Sequence, residues 1–162
     1  MNIGLYTLTS PLHDEHAVNA ASKEFVSAIE CELGAEFDFC GPDFSNYGKH
    51  DLDVIYVRTG GTENLFSEVF PNLQGNIILL TSGKSNSLAA SLEILSYLNQ
   101  HDRKGEIIHG SVEYIAERLR VLSRINAAKQ ALNGINLGVI GQPSDWLISS
   151  NADEAAVKAK LG

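Results

Sequence analysis

Short apolar runs alternate along the chain with longer segments in which apolar residues recur every three or four positions. Such runs, bounded by glycine, proline or serine, are typical of strands, whereas the three-to-four spacing predicts helices with one buried face. The predicted strands cover 3–8, 35–40, 53–57, 76–81 and 106–110. The predicted helices cover 14–33, about 63–70, the region around 88–98, and 111–132.

Two of these helices carry apolar stripes that we expect to face the core. The stripe of the third helix consists of Leu88, Leu92, Leu95 and Leu98. The inner side of the last helix consists of Val112, Ile115, Leu119, Leu122 and Ile125. Helical spacing places each set on one side of its helix.

Five strands that alternate with helices predict an α/β fold. The run 77–80 is apolar throughout, as expected of a central strand covered on both faces, and the mixed run 35–40 suits a sheet edge. The sequence therefore predicts a doubly wound, parallel five-stranded sheet of the flavodoxin-like or Rossmann-like type, a three-layer sandwich with strand order 2-1-3-4-5.

The chain divides by pattern into three parts. Residues 1–110 form the predicted flavodoxin-like N-terminal domain, and 111–134 form a long connecting helix. The run 135–141 resembles the first strand of a domain, and 151–153 could open another helix. We expect 135–162 to be the first strand and loop of a second, truncated α/β domain; packing of this segment on the first five strands is the alternative.

Composition narrows the class of protein. The chain has 162 residues and a net charge of −8, which argues against binding to nucleic acid. It contains no apolar run of about 20 residues and no basic leader, so we expect no membrane span and a cytoplasmic protein. In that reducing setting Cys31 and Cys40 are expected to be buried free thiols.

Ligands of open parallel sheets bind beyond the carboxyl ends of the strands. That rule points to the loops 9–16, 58–64, 82–87, 109–111 and 142–146. In 58–64, Gly60 and Gly61 allow close approach of the backbone to a ligand, Thr62 can cap the next helix, and Glu63 can bond hydroxyl groups. The alternative is a plain turn that needs glycine.

Known phosphate and nucleotide motifs do not fit. The segment 82–85 reads Ser-Gly-Lys-Ser, but Ile78 stands where a P-loop requires glycine, and 138–141 lacks the three-glycine spacing of a dinucleotide loop. His13 and His16 are more often surface residues than metal ligands at this spacing, while His109, at a strand end, is better placed for a polar contact. No catalytic residue and no metal ligand is predicted in this chain.

Three segments stand out together: 58–63 (RTGGTE), 86–95 (NSLAASLEIL) and 138–146 (GVIGQPSDW). In this order they resemble the N-terminal region of proteins related to L-fucose and L-arabinose isomerases. The resemblance implies a sugar pocket to which this region contributes. The matching residues are Gly60, Gly61, Thr62, Glu63, Asn86 and Ser87, with Asp145 and Trp146 from the second domain. A tryptophan there could equally be an anchor between domains.

The same resemblance implies aldose–ketose isomerisation assisted by a divalent metal, commonly Mn²⁺. In the family the metal ligands and the acid/base carboxylates belong to later domains of the polypeptide, so this chain alone is expected to be inactive and to hold no cofactor. A homo-oligomer, a trimer or hexamer, is the implied assembly. The alternative is a self-contained flavodoxin-like module that binds a small ligand or has a regulatory role.

Overall fold

A computed structural model describes residues 2–136 and 153–161 and, between them, residues 138, 140, 141, 144, 146, 148 and 149. The strands are β1 (Ile3–Leu8), β2 (Asp38–Gly41), β3 (Leu52–Val57), β4 (Ile77–Leu80) and β5 (Gly105–Ile108). The helices are α1 (Glu15–Leu33), α2 (Glu63–Val69), α3 (Ser87–Gln100), α4 (Val112–Leu132) and α5 (Glu154–Leu161), and a 3₁₀ turn, Phe70–Asn72, follows α2.

The five strands form one parallel sheet in the order β2-β1-β3-β4-β5, which confirms the predicted fold class. β1 and β3 pair in step over their whole length, from Ile3 against Leu52 to Leu8 against Val57. The β2 strand begins later than predicted, at Asp38, because Phe37 is buried and its backbone N–H donates to Glu30 Oε1 at 3.0 Å. The protein is therefore a three-layer α/β sandwich of the flavodoxin-like type.

Each face of the sheet carries its own hydrophobic core. On one face, Leu5 and Tyr56 of the sheet pack in the same cluster as Ile29 of α1 and Leu119 of α4. On the other face, residues of β1, β3 and β4 pack with α2 and α3 through Phe66, Ala90, Ile94 and Leu98. Residues that alternate along β1 thus enter different cores, as the two-residue period of a strand requires.

The buried side of α3 differs from the predicted leucine stripe. Leu92 is 56% exposed, whereas Ala90, Ser91 and Ile94 are buried. Ser91 can lie on this buried side because its hydroxyl has a partner within the helix: Ser91 Oγ donates to Ser87 O at 2.8 Å. The prediction was wrong because it counted only large apolar residues as inward-facing.

The connection from β2 to β3 covers the sheet without a helix. Residues 42–51 run through turns and bends, and two of their rings pack on the buried Tyr6 of β1. The ring centroids of Phe44 and Tyr47 lie 5.0 and 5.2 Å from that of Tyr6. Burial raises the pKa of both tyrosines, Tyr6 and Tyr47, so their hydroxyl groups stay protonated.

The chain forms two compact units, residues 1–123 and 124–162, with the boundary inside α4. In the first unit Ile115 and Leu119 are buried as predicted, whereas Ile125, beyond the boundary, is 54% exposed and not on an inner side. In the second unit the predicted strand 135–141 includes Leu137 and Val139, which lie outside the described residues. The three-part domain division stays a prediction.

Two further expectations concern thiols and membranes. Cys31 is exposed on α1, contrary to prediction, because it lies outside the buried stripe formed by Val18, Ile29 and Leu33. Cys40 is half-buried.

Among the described residues, no helix combines the length and the apolar character needed to cross a bilayer.

Candidate functional site

The sheet order places its main crevice beyond the carboxyl ends of β1 and β3. These neighbours are where the chain changes direction across the sheet, because β1 leads to β2 on one side and β3 leads to β4 on the other. The two strand ends are tied together by Arg58 N–H, which donates to Leu8 O at 3.0 Å, and by Ser10 N–H, which donates to Thr59 Oγ1 at 2.9 Å.

A cleft of about 640 Å³ opens at this edge. Its lining mixes polar and apolar side chains. The polar residues include Thr7, Thr9, Ser10, His13, Glu15, Arg58 and Glu68. The apolar residues include Leu8, Pro11, Pro42, Phe44, Leu65 and Val69. Such a mixture is what a small, polyhydroxylated molecule requires, since hydroxyl groups need hydrogen bonds while carbon–hydrogen faces prefer an apolar wall.

Arg58 is the cation that lines the 640 Å³ cleft, and Lys84 lines a neighbouring cleft together with it. The Nε of Arg58 donates to Ser22 Oγ at 2.8 Å and its Nη2 donates to Asn19 Oδ1 at 2.5 Å, both on α1. Burial lowers the pKa of the guanidinium, which nevertheless stays charged at neutral pH. Arg58 also lines two smaller clefts of about 370 and 230 Å³, so it contributes to all three.

The glycines of the 58–63 segment are required by close contacts. Gly60 N–H donates to Ser85 O at 2.7 Å, and a Cβ on Gly60 would lie 3.0 Å from Asn86 Cβ. Gly61 has a φ of +73°, and a Cβ there would lie 3.1 Å from Ser10 Oγ. The structure thus brings Gly60 close to Asn86, from two of the segments on which the resemblance rests, whereas Gly61 lies against Ser10.

Two other predicted site residues are buried and have partners within the chain. Thr62 Oγ1 donates to Thr59 O at 3.2 Å. Ser87 Oγ donates to Lys84 O at 2.6 Å and accepts from Thr81 Oγ1 at 2.7 Å. Both side chains therefore hold the loops in shape.

The remaining predicted residues lie at different depths. Glu63 is half-exposed at the start of α2, and Asn86 is exposed in a left-handed conformation with φ of +59°. Trp146, in the second unit, is 80% exposed, and Asp145 lies outside the described residues. None of the six residues predicted in the first unit lines the three clefts described above, so their contact with a ligand stays a prediction.

Sequence reasoning placed Arg58 in the right loop but did not single it out. The available signal was a cation directly after a buried strand, at an edge where ligands bind. His13, expected to be a surface residue, is half-buried and lines the 640 Å³ cleft. His109 lies at the end of β5 with its Nδ1 3.1 Å from Thr81 O, so it makes a polar contact within the edge.

Comparisons with known protein families, with curated proteins and with solved structures give no match. The groups that line the cleft offer hydrogen bonds, a positive charge and an apolar wall, which are means of binding a small molecule.

Proposed function

We propose that this chain is a sugar-binding α/β domain, the N-terminal region of an aldose–ketose isomerase of the L-fucose/L-arabinose isomerase type. The observation that carries the proposal is the cleft beyond β1 and β3, whose lining combines Arg58 and hydroxyl groups with apolar residues such as Phe44. The contact of Gly60 with Ser85 and Asn86 adds support, because it joins two segments on which the resemblance rests.

The proposed role is to contact the substrate and to contribute to assembly as a trimer or hexamer. The reaction needs a metal and carboxylates that the resemblance assigns to later domains, so the chain alone is expected to show no isomerase activity even with Mn²⁺. Formation of a ketose from L-fucose or L-arabinose by residues 1–162 would contradict this incompleteness. Sedimentation of the purified chain tests the assembly.

Sugar binding is tested by titrating L-fucose and L-arabinose into the chain and following ligand resonances by NMR. If the cleft is the site, Arg58→Met and Phe44→Ala weaken binding at least about tenfold, since each removes a direct contact. If the motif residues form the pocket, Glu63→Gln does so instead. Glu93→Gln, an exposed change on α3, is the matched control. Failure of both sugars to bind would overturn the proposal.

A self-contained module that binds a small anion is the second candidate. The observation that favours it is Arg58 itself, which lies at a strand end and lines all three clefts. A guanidinium recognises carboxylate or phosphate groups better than neutral hydroxyl groups. Titration with the corresponding sugar acids separates the two candidates: binding of the acid with no binding of the neutral sugar favours the module.

A further inference from the structure

A second cluster of polar side chains, centred on His50, lies away from the carboxyl edge. It is on the sheet face that residues 42–51 cover. β1, β2 and β3 are in register at Gly4, which pairs with Asp38 on one side and with Asp53 on the other. Gly4 has no side chain, and the His50 ring occupies the space above it: a Cβ on Gly4 would lie 2.4 Å from His50 Nδ1. The imidazole therefore lies between two carboxylates.

The two ring nitrogens of His50 meet these carboxylates differently. Nδ1 lies 2.7 Å from Asp53 Oδ1, and these two side chains are only 6% and 10% exposed. Nε2 lies 3.1 Å from Asp38 Oδ2, whose side chain is 61% exposed. In the neutral tautomer whose Nδ1–H donates a hydrogen bond to Asp53, the Nε2 lone pair points at a carboxylate oxygen of Asp38, and a cation between these two atoms would satisfy both.

Cys40 supplies a third ligand atom beside that pair. It lies two residues after Asp38 on β2, and its Sγ is 3.9 Å from His50 Nε2. The carboxylate oxygen, the imidazole nitrogen and the sulfur all lie within 4.8 Å of one another. In a tetrahedral zinc site, ordinary bond lengths place nitrogen about 3.4 Å from oxygen and about 3.6 Å from sulfur. The observed 3.1 and 3.9 Å are close to both separations.

We propose that Asp38, Cys40 and His50 bind one Zn²⁺ ion, with Asp53 orienting His50 from behind. A carboxylate that accepts a hydrogen bond from the far nitrogen of a ligating histidine is the usual arrangement in zinc proteins. Thiolate, imidazole and carboxylate together suit Zn²⁺ better than Mg²⁺ or Ca²⁺, which prefer oxygen ligands alone. The ion would join the edge strand β2 to the segment that carries His50.

The site is independent of the proposed sugar pocket. Asp38, Cys40, His50 and Asp53 line none of the three clefts at the carboxyl edge. A failure of sugar binding therefore leaves the zinc proposal standing, and a failure of zinc binding leaves the sugar proposal standing.

The test is titration of the tag-free chain with Zn²⁺ against a chromophoric chelator. We expect one ion per chain, with Cys40→Ser weakening binding at least about tenfold and Asp53→Asn weakening it about 10- to 100-fold. Cys31→Ser is the matched control, because Cys31 is an exposed thiol on α1, and it should leave the affinity unchanged. Equal affinity for wild type and Cys40→Ser, or no stoichiometric binding, would overturn the proposal.

Two further measurements use the wild-type chain and need no variant. Co²⁺ in place of Zn²⁺ should give a thiolate-to-metal absorption band in wild type, and its absence would contradict ligation by sulfur. Zn²⁺ should also slow alkylation of Cys40 by iodoacetamide without slowing that of Cys31. Equal rates at Cys40 with and without Zn²⁺ would argue against the site.

Discussion

The cleft beyond β1 and β3 and the group around His50 are two polar regions on one sheet, and they differ in how they are built. We call Asp38, Cys40, His50 and Asp53 the His50 cluster. In the cleft, half-buried Arg58 donates hydrogen bonds to two neutral side chains of α1. In the His50 cluster, an almost buried imidazole lies between two acids.

The difference shows which region depends on the fold and which on this particular sequence. A cleft at the carboxyl edge follows from the strand order alone, and its residues can change without leaving a buried charge. The His50 cluster requires a glycine in β1, acids in β2 and β3, and a histidine in the connection between β2 and β3. Four substitutions test this contrast. For each one the measured quantity is the loss of stability to unfolding.

His50→Ala should have the largest effect. The carboxylate of Asp53, which is 10% exposed, keeps the hydrogen bond from Gly48 N–H but loses its imidazole partner, and the lost hydrogen bond to a carboxylate together with the space left by the ring costs about 3 kcal/mol or more. Urea unfolding in the presence of EDTA measures the effect without bound metal. His16→Ala, at an exposed helical position, is the control and should be neutral. Similar midpoints for the two variants would show that the His50 cluster contributes little.

Gly4→Ala should lower the free energy of unfolding by about 1–3 kcal/mol, because its Cβ would stand 2.4 Å from His50 Nδ1 and force the ring to move. A double-mutant cycle isolates the cause. The three atoms nearest to the added methyl all belong to the His50 ring, so in a His50→Ala background the same substitution should cost far less. An equal cost in both backgrounds would mean that His50 is not the obstacle.

Ser87→Ala tests the loops behind the carboxyl edge. It removes the acceptor of the buried Thr81 hydroxyl, 2.7 Å away, and one unsatisfied buried donor costs about 1–2 kcal/mol. Ser96, exposed on the same helix, provides the matched Ser→Ala control. Thermal unfolding should separate the two variants; coincident curves would show that the Thr81–Ser87 hydrogen bond adds no stability.

Arg58→Met should have the smallest effect on stability, about 1 kcal/mol, since it removes hydrogen bonds to two neutral side chains, half-buried Ser22 and exposed Asn19. The methionine side chain is long and apolar enough to keep the packing of the methylene groups of the arginine. A loss as large as that of His50→Ala would place Arg58 among the structural residues and weaken its assignment to ligand binding.

The sequence was sufficient for the features that depend on local patterns. The apolar runs of β1 and β4 and the alternation with helices led to the correct strand order, and the loop 58–64 was placed at the correct edge. The buried side of α3 was mispredicted because Ser91, a polar residue, faces inward with its hydroxyl bonded to Ser87 O. Local periodicity carries no information about such internal hydrogen bonds.

The His50 cluster could not be predicted in the same way, because its members meet through strand register. Gly4 pairs with Asp38 and Asp53, residues distant in sequence, and no local pattern fixes that alignment. A partial signal was present: Asp38 and Cys40 are two apart in a strand and so share a face. The spacing of His50 and Asp53 acquires meaning only once the connection between β2 and β3 is known to contain no helix.

The position of β2 at the edge of the sheet has a consequence for behaviour in concentrated solution. An edge strand presents unpaired backbone groups that can template the addition of another chain, and Phe39 exposes two-thirds of its side chain there. β2 has only four residues, its register with β1 shifts between Leu5 and Tyr6, and it carries the exposed charge of Asp38. These three properties make β2 a poor template, so they disfavour edge-to-edge association through this side of the sheet.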